Sequence, residues 1–399
     1  MEPFKNLINR DTVATTGRHL RRAWPRFDLK RFEAQAATGL ENLEFKARAM
    51  QLADALEATL PDDFNAACET LEASLAPPLA LDAQGEPMKL GEAQADSGIA
   101  GGALWAAGEF VARRGVRDAV HAQRGLACLH AVTQRFTAEF AIRAFIQRHP
   151  GLSLDTLGQW QNDPSAHVRR LVSEGSRPRL PWGLRLQALV ADPSPTLPLL
   201  RALQDDPSSY VRRSVANHLN DIAKDHPDLV AAWVREHLVG APDARSALLR
   251  HASRSLIKAG HAPTLAAWGL ASGLQGQAAL TLSAKRAAVG GEIGLRVQLQ
   301  SSARQPQQLV VDYAVHHVRA NGGSSPKVFK GWKLTLGASE ARTAPLAPVA
   351  NPTVGSSWST QDVADPQRTA SLGLGSTGTT CVTAPRAVVL RWFGYRSPR

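Results

Sequence analysis

The chain's 399 residues and 44% hydrophobic content can fill two or three domains with a sizeable core, while a formal net charge of +11 and a pI near 10.0 point to a polyanionic partner. No apolar run follows a basic segment in Met1–Leu7 and no membrane span is called for, so the cytoplasm is the expected compartment. Cys68, Cys128 and Cys381 stand apart without CxxC spacing, which argues against a disulfide framework and a structural zinc site and predicts reduced thiols and no metal.

From Phe4 to about Leu81 the pattern is helical and rich in Ala and Leu, broken at Pro61 and at Pro77-Pro78. Asp82 to Ile99 lacks a sustained apolar period and predicts a long connection. Leu104–Arg113, Val116–Arg135 and Thr137–Arg148 read as helices. Two capped helices follow, then a last helical set from Pro227 to about Ala266. Around Gly269 to Gln277 the period changes from helical to alternating. Ala279–Leu282, Ile293–Leu299, Leu309–Val315 and Val328–Leu336 are short strands between turn-rich segments, the spacing of a small β-sandwich. Beyond Gly337 prolines, serines, threonines and glycines dominate, and the one clear strand is Ala387–Leu390. The expected division is therefore a helical domain over 1–270, a partial sandwich over 278–337 and an irregular or disordered tail over 338–399.

The two capped helices repeat one pattern. Asp163-Pro-Ser-Ala-His-Val-Arg-Arg recurs as Asp206-Pro-Ser-Ser-Tyr-Val-Arg-Arg, about 43 residues later, a period within the range of HEAT-like solenoids. Asp163 and Asp206 are placed as N-caps before Pro164 and Pro207, where a missing amide hydrogen costs nothing. Val168, Leu171 and Val172, then Val211 and Val215, form a buried stripe that leaves Arg170 and Arg213 facing elsewhere. Arg245–Arg254 is a weaker third copy. A solenoid built this way presents a row of guanidinium groups whose planar fork suits phosphate.

Phe136-Thr-Ala-Glu-Phe-Ala-Ile-Arg143, Arg169-Arg-Leu-Val-Ser-Glu-Gly-Ser-Arg-Pro-Arg-Leu-Pro-Trp182 and Val215-Ala-Asn-His-Leu-Asn-Asp-Ile222 resemble the AlkC-type DNA glycosylases, a likeness that runs from Met1 to about Leu336. The Pro-bracketed Trp182 makes it specific, since a generic HEAT protein has no reason to carry it. The resemblance implies a mainly α fold, a HEAT-like α-solenoid followed by a small immunoglobulin-like β-sandwich. It further implies a monofunctional glycosylase of base excision repair without a cofactor, acting as a monomer near the nucleoid. Its substrate would be double-stranded DNA carrying cationic N3-alkylated bases such as 3-methyladenine and 3-methylcytosine, excised without base flipping. Ala144 stands where the family pattern has proline, and from about Ser339 the chain departs from the family's closing strands. The rival reading is a HEAT-type scaffold that binds protein or nucleic acid without catalysis.

A cationic base leaves readily, so such a site needs a negative field beside the sugar rather than a strong acid. Glu139 and Asp221 are the candidate carboxylates, and the indole of Trp182 can attract a cationic base or sugar. Each has a plainer explanation. Glu139 could pair with Arg143 on a helix surface, Asp221 with Lys224, and Trp182 could plug a gap between repeats. Asp221 follows Asn217 and Asn220 late in a helix, where the dipole does not favour a carboxylate, which hints at another purpose. Arg170, Arg177, Arg213, Arg250 and Arg254 are assigned to phosphate contacts, whereas Arg169 and Arg212 could equally tie repeats together. His167, His218 and His251 lack metal spacing and are read as structural, and Glu174 as a partner orienting Arg177 or Trp182.

Overall fold

The computed structural model describes residues 4–88, 96–270, 274–283, 292–318, 324–350, 382–383 and 388–395. They form α1 Arg10–Ala23, α2 Leu29–Ala37, α3 Phe45–Thr59, α4 Phe64–Ser74, α5 Ala103–Gly115, α6 Ala119–Thr133, α7 Glu139–Arg148, α8 Pro150–Trp160, α9 Ala166–Gly175, α10 Gln187–Ala191, α11 Leu197–Leu203, α12 Ser209–Ile222, α13 Pro227–Leu238, α14 Asp243–Ala252, α15 Arg254–Ala259 and α16 Ala262–Ala267. Strands β1 Gly276–Leu282, β2 Glu292–Ser301, β3 Gln307–Val318, β4 Ser324–Leu336, β5 Ala341–Ala350, β6 Val382–Thr383 and β7 Val388–Tyr395 follow. No helix among the described residues is long and apolar enough to cross a membrane. The chain divides into two compact units, Met1–His226 with Ala241–Ala252, and Pro227–Gly240 with Ser253–Arg399.

The first unit is a HEAT-like solenoid. Its helices start where short polar side chains accept an otherwise unpaired amide: Asn9 from Thr12, Asp63 from Ala66 and Asp118 from His121. Pro150 opens α8 at a position that needs no N–H donor. Helices α7, α9, α12 and α14 pack in succession, burying Ile142, Phe145, Leu171, Val172, Val215, Leu219 and Leu249. The repeated Asp-Pro-Ser starts its helix two residues later than expected. Asp163 and Asp206 accept the amides of Ser165 and Ser208, both at 2.8 Å, and these serines hold the cap positions. The aspartates thereby stay available to neighbouring repeats. Asp206 takes both prongs of Arg169 at 2.6 and 3.0 Å, and Asp163 meets His130 at 2.7 Å. Arg169 and Arg212 donate to the carbonyls of their own turns, so both brace the start of their helices, and Arg169 also ties its repeat to the next.

The connection after Leu81 makes a tight turn over Asp82–Glu86. The Asp82 carboxylate accepts the amides of Gln84 and Glu86, both at 2.9 Å, and the resulting turn packs on the start of α12. Gly85, at φ +75°, lies so close to Ser208 that a Cβ would meet it at 2.8 Å. The carbonyl of Gly85 accepts Ser208 Oγ at 2.8 Å and that of Gln84 accepts the Ser209 amide at 3.1 Å.

In the second unit, α13 packs on α16, and Ile257, Leu265 and Leu270 gather with Trp268 and Val310 into one apolar cluster. That cluster ties α15 and α16 to β3, so residues expected to close the helical domain before 270 belong with the sandwich. Its two antiparallel sheets run β1-β2-β5 and β4-β3-β7-β6. Leu295, Val297 and Leu299 alternate with exposed Arg296, Gln298 and Gln300, and face Leu309, Val311, Tyr313 and Leu336 of the other sheet. The expectation of an irregular tail over 338–399 is corrected where that tail is described. β5 pairs with β2, and β7 pairs with β3, placing Trp392 opposite Val311. Proline content misled the reading of β5: among the described residues it is an edge strand with one side that feeds no ladder, and there a proline's missing N–H is tolerated. Residues 351–381 of the expected tail lie outside the described residues.

His218 and His167 bear out a structural use of buried imidazoles. His218 is fully buried, with Nδ1 2.9 Å from the Ser173 carbonyl and Nε2 3.5 Å from Thr196 Oγ1, and burial lowers its pKa from 6.5 to about 4. His167, 3.0 Å from the Leu79 carbonyl, is shifted downward for the same reason. Both stay neutral when folded and take up a proton more readily when unfolded. The contribution of His218 is therefore complete above about pH 6.5 and is lost as pH falls toward 4, and that of His167 is lost in the same direction. Thermal unfolding across pH 4–7 should show this loss, and His218→Gln should flatten it. An equally steep profile in that variant would assign the acid loss elsewhere.

Candidate active site

The candidate carboxylates lie in one chain of alternating charges. Glu139 is the first residue of α7, where the helix dipole favours an anion, and is 7% exposed. Its Oε2 accepts Arg170 Nη1 at 3.0 Å. Arg170 lies 3.6 Å from Glu174, one turn further along α9. Glu174 accepts Arg177 Nη1 at 2.6 Å and Ser214 Oγ at 2.6 Å. Arg177 Nε reaches Asp221 at 2.8 Å, and Asp221, 2% exposed, also accepts Lys224 Nζ at 2.8 Å. Three carboxylates thus interleave with three cations across α7, α9 and α12, and the series ends at half-exposed Lys224.

Burial acts unequally along this series. Burial pushes the Glu139 carboxyl above its usual range, against the opposing pull of Arg170. Glu174 suffers the same penalty, but Arg170, Arg177 and the Ser214 hydroxyl outweigh it and hold its pKa below 4.5. Arg170 also stacks over Tyr210 at 5.2 Å and donates to Thr137 Oγ1 at 3.0 Å, which fixes the plane it presents to Glu139.

Trp182 occupies the loop after α9 and is the opposite of a core plug. It is 71% exposed, and its φ of +63° places a bulky residue in the left-handed region, a strain of order 1–3 kcal/mol. Leu184 beside it is 48% exposed. The loop is held from below by Arg143, which is fully buried and donates to the carbonyls of Gly175 at 3.0 Å, Arg177 at 2.6 Å, Pro178 at 3.4 Å and Leu184. Burial lowers the Arg143 pKa to about 10, with Arg177 adding to the effect. The plainer alternative, a surface pair between Glu139 and Arg143, is not what forms: both are buried, and Arg143 turns to the Trp182 loop.

The arginines divide differently from the expectation. Arg170 and Arg177, with side chains 15% and 10% exposed, sit inside the charge series and not on an open basic face. Arg213 is half-exposed, with both prongs on Glu86, one at 2.8 Å. Arg250 on α14 and Arg254 at the start of α15 are half-buried. His251 lies 2.9 Å from Asn217 Oδ1. Sequence reasoning missed Glu86, Tyr210 and the use made of Arg143. Only Arg143 left a signal, since it shares a helix face with Glu139, Ile142 and Ile146 and so had to be buried with them.

A family model described as "Uncharacterised protein YhaZ, C-terminal Ig-like domain" matches residues 277–346. The "Uncharacterized protein YhaZ" of Bacillus subtilis (strain 168) is 31% identical over 332 residues, 83% of this chain and 85% of that protein. A solved structure, Pseudomonas fluorescens alkylpurine DNA glycosylase AlkC bound to DNA containing an abasic site analog, is 30% identical with a TM-score of 0.77, covering 99% of this chain and 100% of its own. The chain belongs to the AlkC and YhaZ family. Membership accounts for the order solenoid then immunoglobulin-like sandwich, and the relatives' likeness spans the segments that hold the charge series and the Trp182 loop.

Proposed function

We propose that this chain is a monofunctional DNA glycosylase that excises cationic N3-alkylated bases, 3-methyladenine and 3-methylcytosine, from double-stranded DNA without flipping the nucleotide and without a cofactor. The observation that carries the proposal is the combination of two arginine-oriented carboxylates, Glu139 and Asp221, with a protruding Trp182. A side chain 71% exposed can approach a base or sugar from outside the duplex, whereas a flipping enzyme needs a cavity to receive the base.

In the reaction the C1′–N bond breaks and its electron pair neutralises the cationic base, so no proton need be donated to the leaving group. Positive charge then develops on the sugar. The field of Glu139 and Asp221 stabilises it, less screened for being nearly buried, and the indole face adds up to about 2 kcal/mol. Water adds at C1′, giving up a proton to a carboxylate, and leaves an abasic site. Release of free base from methylated duplex DNA is the direct test. Binding without release would leave the scaffold reading in its place.

DNA binding should depend on salt through the remaining candidate cations. Three phosphate contacts, from Arg250, Arg254 and an Arg213 that exchanges Glu86 for phosphate, give a slope of log affinity against log salt near about −3, at about −0.9 per contact, instead of the −4 to −5 of five contacts. Arg213→Ala should weaken lesion and undamaged DNA alike, because phosphate contacts carry no base identity. A slope near zero would remove this electrostatic footprint.

A further inference from the structure

We infer that Arg143 is a positioning residue that sets the pose of Trp182 by gripping both arms of its loop. The inference rests on the catalytic reading of Trp182 given above. Arg143 projects from α7 one turn beyond Glu139, and among the described residues its guanidinium meets no carboxylate directly. It donates instead to Gly175, Arg177 and Pro178 on the arm leaving α9, and to Leu184 on the returning arm. Between those arms stands Trp182 with φ +63°. A left-handed tryptophan persists only where surrounding structure over-determines it. Two backbone bonds close the loop itself, Gly183 N–H to the Leu180 carbonyl and Leu186 N–H to the Pro178 carbonyl, both at 3.2 Å. Arg143 adds the bonds that tie this loop to the helix bearing Glu139. The base-facing indole and the sugar-facing carboxylate thus share one rigid support.

The same side-chain chemistry occurs at Arg48, which is 4% exposed and donates to the carbonyls of Leu43 and Ile8 at 2.8 Å, Lys5 at 3.1 Å and Glu41 at 3.2 Å. That clamp holds an N-terminal turn and supplies a purely structural reference. The packing around Gly183 offers a second handle on Arg143. A Cβ there would meet Leu180 at 3.0 Å and Arg143 Nε at 3.2 Å, so Gly183→Ala disturbs the clamp from the loop side while leaving the buried charge in place.

The test is a double-mutant cycle on the single-turnover excision rate at saturating protein, with DNA affinity and thermal unfolding measured alongside. Trp182→Ala is expected to slow excision about tenfold to thirtyfold. Arg143→Lys keeps the charge, but a single ammonium cannot reach carbonyls on both arms, so it should slow excision to a similar extent with affinity for undamaged DNA unchanged. Combined with Trp182→Ala, it should add no further slowing. Gly183→Ala should behave in the same way and serves if Arg143→Lys does not fold. Arg48→Lys should lower the unfolding temperature without changing the rate per folded molecule. Multiplicative losses in the cycle, or unchanged excision by both Arg143→Lys and Gly183→Ala, would overturn the inference. Full-rate excision by Trp182→Ala would instead overturn the reading beneath it, and the inference with it.

Discussion

Glu139→Gln and Asp221→Asn are each expected to slow base excision by about two orders of magnitude or more while the protein folds and binds DNA. Both replacements keep shape and remove the charge that the proposed mechanism sets against the developing cation. Each leaves its cationic partner a second anion: Arg170 retains Glu174 at 3.6 Å, and Arg177 retains Glu174 at 2.6 Å. That redundancy separates a catalytic loss from a folding loss. Burial also raises the Glu139 pKa, so excision that needs the ionised form is present above that raised value and fails as pH falls through it. The acid limb of the rate should therefore lie above the ordinary 4.5 of a glutamic acid, and it should vanish in Glu139→Gln. Near-normal excision by both variants would remove the carboxylates from the mechanism.

Arg177→Met is expected to cost stability more than any other single change in the charge series. Arg177 bridges Glu174 and Asp221, which are 6% and 2% exposed, and removing it leaves two nearly buried carboxylates without their shared cation. Breaking a buried pair from one side costs about 3–5 kcal/mol. The lower end applies here, because Lys224 still holds Asp221 and Ser214 and Arg170 still hold Glu174. For a folding unit of this size, about 3 kcal/mol lowers the melting temperature by about 6–12 °C. Arg179→Ala, which breaks the more exposed pair with Asp225, should leave it nearly unchanged. Similar melting of the two variants would show that the series is not a structural unit.

The sequence alone determined the architecture, for a physical reason. Helical and strand periods are local, and the Asp-Pro-Ser repeat 43 residues apart carries its own turn and cap chemistry, so the solenoid and the change to strands before Ala279 could be read along the chain. The candidate carboxylates were also legible, though through family motifs, since spacing could not separate Glu139 from a surface pair. Pairing and burial belong to tertiary structure. Whether β5, with two prolines, becomes a strand depends on the free edge that β2 offers it, and no local rule contains that. Arg170 and Arg213 occupy equivalent repeat positions, yet one stacks on Tyr210 between two glutamates and the other meets Glu86 from a connection 127 residues away. A shared local pattern cannot foresee different neighbours. Likewise, Trp182 is exposed and left-handed because Arg143 and the returning arm at Leu184 hold its loop, contacts that span 32 to 41 residues and exist only once α7 and α9 have packed.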